Sequence, residues 1–222
     1  MRIACGIHGS CISIVLLAGQ ACLGQSVSIG VKAGGRLTDD ISSPGAATSE
    51  SKRYMVGPTL EFGLPLGLSV EVDALYQRQG YRASFSNFAG SSTDWVRANA
   101  WEVPVLARYK LPIPILKPYV EAGVAPRLMS GASDSSIYSS MDIPTGVVTY
   151  GHSHGAANWP DSVGTVMGAG VQFGFGSLRL APEVRYTRWN STPINESGPY
   201  GYEFHSGQNQ VDLLLGVSWK VR

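Results

Sequence analysis

The chain has 222 residues, a charged fraction of 15%, 27 glycines and a formal net charge of +1. So neutral a chain carries no electrostatic footprint for nucleic acid, and so few charges among so many glycines do not describe an ordinary cytosolic enzyme. No uninterrupted apolar window of about 18 residues supplies a helical membrane span, and the length fits one domain.

Residues 1–25 read as a secretory leader. Arg2 is its only charge, Ile12 to Ala18 form an apolar run, and the small residues Ala21 and Gly24 follow. Cleavage near Gly24 or Gln25 leaves a domain spanning 26–222. Cys22 offers a lipid-anchored alternative, but Gly19 stands where such leaders carry Leu. Cys5, Cys11 and Cys22 all fall in the leader, so the exported domain has no disulfide to hold it. Loss of Arg2 brings the bases from 17 to 16 against 16 acids, and the domain is formally neutral.

Eight stretches then alternate apolar and polar residues, the signature of strands with one oily and one polar face. The first sets Val27, Ile29, Val31 and Ala33 against Ser28, Lys32 and Arg36. The second sets Tyr54, Val56, Leu60 and Phe62 against Thr59 and Glu61, and the third sets Leu68, Val70, Val72, Ala74 and Tyr76 against Ser69, Glu71, Asp73 and Gln77. In the fourth, Trp101, Val103, Val105, Ala107, Tyr109 and Leu111 oppose Glu102, Arg108 and Lys110. In the fifth, Val120, Ala122, Val124 and Leu128 oppose Glu121 and Arg127. The sixth places Met167, Ala169, Val171, Phe173 and Phe175 opposite Gly168, Gly170 and Gln172. The seventh places Leu178, Leu180, Val184 and Tyr186 opposite Arg179, Glu183, Arg185 and Thr187. The last is the cleanest: Val211, Leu213, Leu215, Val217, Trp219 and Val221 face away from Gln210, Asp212, Gly216, Ser218 and Lys220, with Leu214 the one exception. Pro58, Pro104, Pro126 and Pro182 cannot donate to a ladder, and bulges or bends are expected there.

The links alternate long and short. Tight turns at 63–67, 112–116 and 176–177 fall on one rim, and long links at 39–52, 87–96, 132–162 and 193–207 fall on the other. The pattern predicts an all-β, eight-stranded antiparallel up-and-down barrel. Which face points inward is open at this stage. An exported soluble barrel binding a hydrophobic ligand would turn the oily face inward; a transmembrane barrel would turn it to lipid. Two features favour lipid outside: the leader together with the alternating links, and the aromatics that bracket the oily faces. Tyr54 and Phe62, and likewise Trp101 and Tyr109, lie eight residues apart. At the rise of a tilted strand this is about 20 Å, close to the height of a membrane barrel's apolar band. The short turns and both termini then lie on the periplasmic side.

Lipid outside puts the charges inside, where an eight-stranded barrel has room only for side chains and an unpaired charge costs several kcal/mol. An interior ion-pair network is expected of Lys32, Arg36, Glu61, Glu71, Asp73, Glu102, Arg108, Glu121, Arg127, Glu183, Arg185 and Asp212, with Lys110, Arg179 and Lys220 of the same parity. Glu71 and Asp73 share a face and are capable of acid/base work, but arginines in the same lumen make structural pairing the simpler role. Gly151-His152-Ser153-His154-Gly155 is the most metal-like run; in a solvated loop without a third ligand it predicts no metal. His152, His154 and His205 are all assigned to loops, so no strand offers the base a wall-mounted nucleophile needs. A lipid-modifying enzyme is the minor alternative, and no enzymatic activity or cofactor is expected. The external links carry Tyr138, Tyr150, Trp159, Tyr200 and Tyr202, a composition suited to recognition surfaces.

With these strands in place, Val27-Ser28-Ile29-Gly30-Val31-Lys32-Ala33-Gly34 and Leu215-Gly216-Val217-Ser218-Trp219 resemble the opening and closing runs of small bacterial outer-membrane barrels. The chain is similar to the outer membrane protein beta-barrel domain group, which includes the transmembrane domain of outer membrane protein A. The resemblance implies a monomer in a bacterial outer membrane with a structural or surface-interaction role. It implies lipid bilayer and lipopolysaccharide as surroundings, and the barrel-assembly machinery as a folding partner. Members usually end on an aromatic residue that this machinery reads; here Trp219 is followed by Lys220, Val221 and Arg222.

Overall fold

Period-two alternation turns successive side chains to opposite faces, and hydrogen-bonded neighbours then gather all oily faces on one side of a sheet. A sheet that closes on itself abolishes its edges. The structure, a computed structural model, describes residues 26–39, 41–42, 47–113, 116–191, 195–197 and 203–221, so the segment 1–25 expected to be a leader lies outside the described residues, as do Tyr200 and Tyr202.

Eight walls follow one another around the barrel. The first is β1 (Ser26–Arg36); β2 (Ile41–Ser42) lies outside the walls. The second comprises β3 (Ala47–Ser49) and β4 (Tyr54–Gly63), the third β5 (Leu68–Asp73) and β6 (Leu75–Asn87), and the fourth β7 (Gly90–Glu102) and β8 (Val105–Lys110). The fifth is β9 (Leu116–Asp142), the sixth β10 (Val147–Ala156) and β11 (Ser162–Phe175), and the seventh β12 (Leu178–Trp189). After β13 (Asn195–Ser197) and β14 (Glu203–Ser206), which pair with β2 in a small separate sheet, comes the eighth, β15 (Asn209–Lys220). Each wall pairs antiparallel with the next, and β15 returns to β1 in register from Ser28 opposite Lys220 to Arg36 opposite Asp212. The turns expected at 63–67 and 176–177 are tight, and the one at 112–116 lies partly outside the described residues. Gly67 at φ 79° and Gly176 at φ 66° occupy the left-handed region that glycine alone enters without strain.

Two long links are corrected. The third and fourth walls run on past the oily band and meet at a two-residue turn, Phe88-Ala89. β9 continues for 27 residues and folds back on β10. The segments read as loops, 87–96 and most of 132–162, are therefore ladders that rise beyond the band. His152 and His154 lie in β10 and His205 in β14, so their assignment to loops is corrected as well. Beyond a bilayer both faces of a strand meet water, so the apolar alternation disappears while backbone pairing continues.

The prolines mark a seam, though only Pro104 interrupts a strand. The breaks at Ala74 and at Val103-Pro104 are bridged by Asp73 N–H to Pro104 O (3.1 Å), Ala74 N–H to Pro58 O (3.0 Å) and Val103 N–H to Pro126 O (2.9 Å). Proline keeps its acceptor while lacking its donor, so carbonyls carry the ladder across the breaks. Pro126 and Pro182 sit within β9 and β12 without a break.

The faces sort as the lipid-outside reading requires. Ile29, Val31, Val120, Val124, Leu213 and Leu215 are about half exposed on the outer wall, while Lys32, Glu71, Asp73, Arg108, Glu121, Glu183 and Arg185 are buried. Leu214, the exception to its strand's parity, packs inside against Met55 and Leu75. Lys220 is corrected: it is exposed at the strand's end, where the inward parity has run out of barrel.

Candidate functional site

The interior divides into layers along the barrel axis. The lower charged layer stands on β1, β5, β8, β9 and β12. Lys32 reaches Glu71 (2.6 Å), Glu183 (2.9 Å) and Asp73 (3.2 Å). Arg108 reaches Glu121 (2.6 Å), Glu71 (2.7 Å), Glu183 (3.1 Å) and Glu61 (3.3 Å), and lies 4.0 Å over the ring of Tyr119. Arg185 joins Glu183 (2.7 Å), Asp73 (2.9 Å) and Glu121 (3.2 Å). Three cations thus hold four carboxylates at the centre of the layer and a fifth, Glu61, at its edge, and the Tyr119 hydroxyl donates to Glu183 at 2.8 Å. Towards the rim of the short turns, Glu61 turns to Lys110 (2.5 Å) and Arg179 (3.6 Å), beside an open vestibule of about 230 Å³.

Apolar side chains lie above this layer: Met55, Leu75 and Leu214 in one cluster, and Leu106, Ala125, Val166 and Trp189 in another. The upper charged layer follows. Arg127 pairs with Glu102 at 2.8 Å, and Arg36 approaches Glu102 at 3.5 Å and Asp212 at 4.0 Å. Gln210 ties the layer together: its Oε1 accepts from Arg36, Arg127 and Trp189, and its Nε2 donates to Asp212 at 2.8 Å. Gln77 donates to Glu102 at 2.7 Å, and the Arg127 guanidinium lies 3.5 Å over the Trp189 ring. Above this, Tyr81, Ala83 and Val96 form an apolar cap into which Trp159 packs edge-on, 6.2 Å from the Tyr81 ring. Trp159 lies in the link between β10 and β11, as expected, and turns its ring into this cap.

The structure brings all twelve residues of the expected network into these two layers. With Lys110 and Arg179 included and Lys220 outside, seven bases meet seven acids. Four participants were not in the expected set. Gln77 and Gln210 carried the inward parity but no charge to flag them; Tyr119 and Trp189 lie one residue or two beyond the ends of the alternating runs. Glycines make the room. A Cβ at Gly168 would stand 2.6 Å from the Glu121 carboxylate, and one at Gly164 would stand 2.6 Å from Thr187.

Among the described residues, Glu71, Glu121 and Glu183 are the one trio of potential metal ligands close enough to share an ion, and Lys32, Arg108 and Arg185 already contact their oxygens. His152 and His154 are exposed. In the ladders beyond the oily band, partial burial and neighbouring Asp134 raise the Asp94 carboxyl above its ordinary value, against a hydrogen bond from Ser92.

Among the described residues no helix is long and apolar enough to cross a membrane. Strands that carry lipid-facing side chains around a charged centre define an integral outer-membrane barrel. Residues 23–188 match the outer membrane protein beta-barrel domain, and the chain belongs to that family. It is a bacterial outer-membrane protein, and the soluble-carrier alternative is set aside. No curated protein sequence matches the chain. Among solved structures it is similar to Neisserial surface protein A, at 15% identity and a TM-score of 0.45, covering 89% of this chain and 99% of that one. It is also similar to the N-terminal β-barrel domain of Pseudomonas aeruginosa OprF, at 14% identity and TM-score 0.40, with 87% and 96% covered. Outer membrane protein AlkL, determined in DMPC lipid bilayers, gives 15% identity and TM-score 0.47, with 89% and 90% covered.

Proposed function

We propose that this protein is a closed, monomeric structural barrel that presents a surface-interaction platform, without catalytic chemistry. The observation that carries this reading is the balance of the interior, seven bases against seven acids, each within 4.0 Å of an opposite charge. A lumen filled by mutually paired side chains, with apolar layers between and above, supports a barrel without a continuous water path. Its role then falls to the outside: the ladders β6–β7 and β9–β10, which rise beyond the oily band and display Phe88, Ile137, Tyr138 and Tyr150. Lipopolysaccharide surrounds the outer half of the walls, and the barrel-assembly machinery inserts the chain.

In planar bilayers at about 1 M salt, where charges are screened beyond about 3 Å, the purified barrel is expected to add no conductance steps above the lipid background. Reproducible single-channel steps would overturn the closed reading. A variant with His152, His154 and His205 changed to Asn is expected to support the same envelope lipid profile as the parent; a changed profile would reopen the enzyme reading.

A further inference from the structure

On three adjacent walls the outer face changes character within one rung. β4 carries Phe62, Leu60, Pro58, Val56 and Tyr54 upward, then Lys52 follows. The third wall carries Leu68, Val70, Val72, Ala74 and Tyr76, then Arg78. The fourth carries Tyr109, Ala107, Val105, Val103 and Trp101, then Asn99 and Arg97. Tyr76 and Trp101 pack at 5.3 Å, and the Tyr76 hydroxyl donates to Asn99 at 2.7 Å. This pair is the outer aromatic girdle, apolar below and wet above.

Directly over it lies a basic field. Lys52 N–H donates to Arg78 O at 2.9 Å, which sets those two residues side by side. Gly80, opposite Arg97, has no side chain, and across that gap Glu50 and Arg97 make a 3.5 Å ion pair. One rung higher, Arg82 lies over the ring of Trp95 at 5.4 Å. Lys52, Arg78, Arg82 and Arg97 are all exposed, and among the described residues Glu50 is the one acid that pairs with any of them. No carboxylate among the described residues lies within ion-pair distance of Lys52, Arg78 or Arg82. Lys52, Arg78 and Arg97, with Glu50, Ser51 and Gln79, line an open hollow of about 520 Å³. Two residues of tilted strand rise about 5 Å, so these cations stand at headgroup height.

Arginine forks match phosphate oxygens in bidentate fashion, and bases beside a bilayer draw anionic lipid. We propose that this face binds the phosphate groups of a phosphorylated glycolipid headgroup in the outer leaflet. Lys52, Arg78 and Arg97 hold the phosphate, and Tyr76 and Trp101 meet its first acyl carbons. The proposal rests on the reading of lipopolysaccharide as the surrounding leaflet and gives that contact an address.

The test compares the folded, full barrel in nanodiscs doped with bisphosphorylated lipid A or with the same lipid dephosphorylated, measuring co-purified lipid by mass spectrometry. The parent is expected to enrich the phosphorylated form roughly tenfold. The triple variant Lys52→Gln, Arg78→Gln, Arg97→Gln loses that enrichment, while Arg188→Gln, an exposed base on the seventh wall, keeps it. Heat-modifiable gel mobility confirms that each variant is folded. Equal retention of both lipids by the parent, or undiminished enrichment by the triple variant, overturns the proposal. Displacement of the lipid by millimolar inorganic phosphate would show a site for free anions and overturn the lipid assignment. None of these outcomes depends on conductance, so the closed-barrel reading stands or falls separately.

Discussion

Replacing Arg108 by methionine destabilises the folded barrel by about 3–5 kcal/mol, the usual consequence of leaving a buried charge without its partner. Arg108 touches four carboxylates and stacks on Tyr119. Without it Lys32 and Arg185 must hold Glu71, Asp73, Glu121 and Glu183 between them. Methionine fills similar volume, so the loss reports charge rather than a cavity. The midpoint of urea unfolding in lipid vesicles measures it. A second change, Glu121→Gln, removes one acid and is expected to recover part of the loss. Glu71→Lys moves in the same direction as Arg108→Met and impairs refolding. An Arg108→Met barrel with the parent's midpoint would mean that the ionic layer contributes little to the fold.

Leu215→Arg has the second largest effect and acts on the opposite face. Leu215 lies half exposed midway along the outer face of β15, between Val211 and Trp219. An arginine at the midplane of a lipid-facing wall costs about 2–4 kcal/mol, and one near the interface about 0–1 kcal/mol. Val221→Arg, at the end of the same oily row, is the matched control. A large loss at 215 and a small one at 221 is expected from unfolding in vesicles. Equal effects at the two positions would remove the depth dependence that a bilayer imposes.

What could be read from the residues alone was parity. A strand's two faces follow from alternation, so Lys32, Glu71, Arg108 and Glu183 could be placed on one side of the wall before any fold was known. The partners could not. Lys32 and Glu183 are 151 residues apart, and their meeting depends on the stagger of eight walls, to which no single strand testifies. Leu214 looked like an error of parity because its reasons, Met55 and Leu75, sit on two distant walls. The ladders of β9 and β10 escaped for another reason. Ser133, Asp134, Ser135 and Ser136 are half-buried and carry no oily row because no acyl chains meet the wall there, yet their backbone groups pair with β7 and β10 throughout. Lys220 shows the converse, a residue with inward parity where no interior remains.

Five tryptophans make orientation directly measurable, because Trp101 and Trp219 are exposed on the outer wall while Trp189 is 2% exposed within. Single-tryptophan variants, with the other four changed to phenylalanine, are refolded into vesicles of brominated phosphatidylcholine. Most of the fluorescence of Trp101 and Trp219 is quenched by the bromines, and that of Trp189 is preserved. Quenching of Trp189 as deep as that of Trp219 would contradict the arrangement of lipid around the oily wall and charge at the centre.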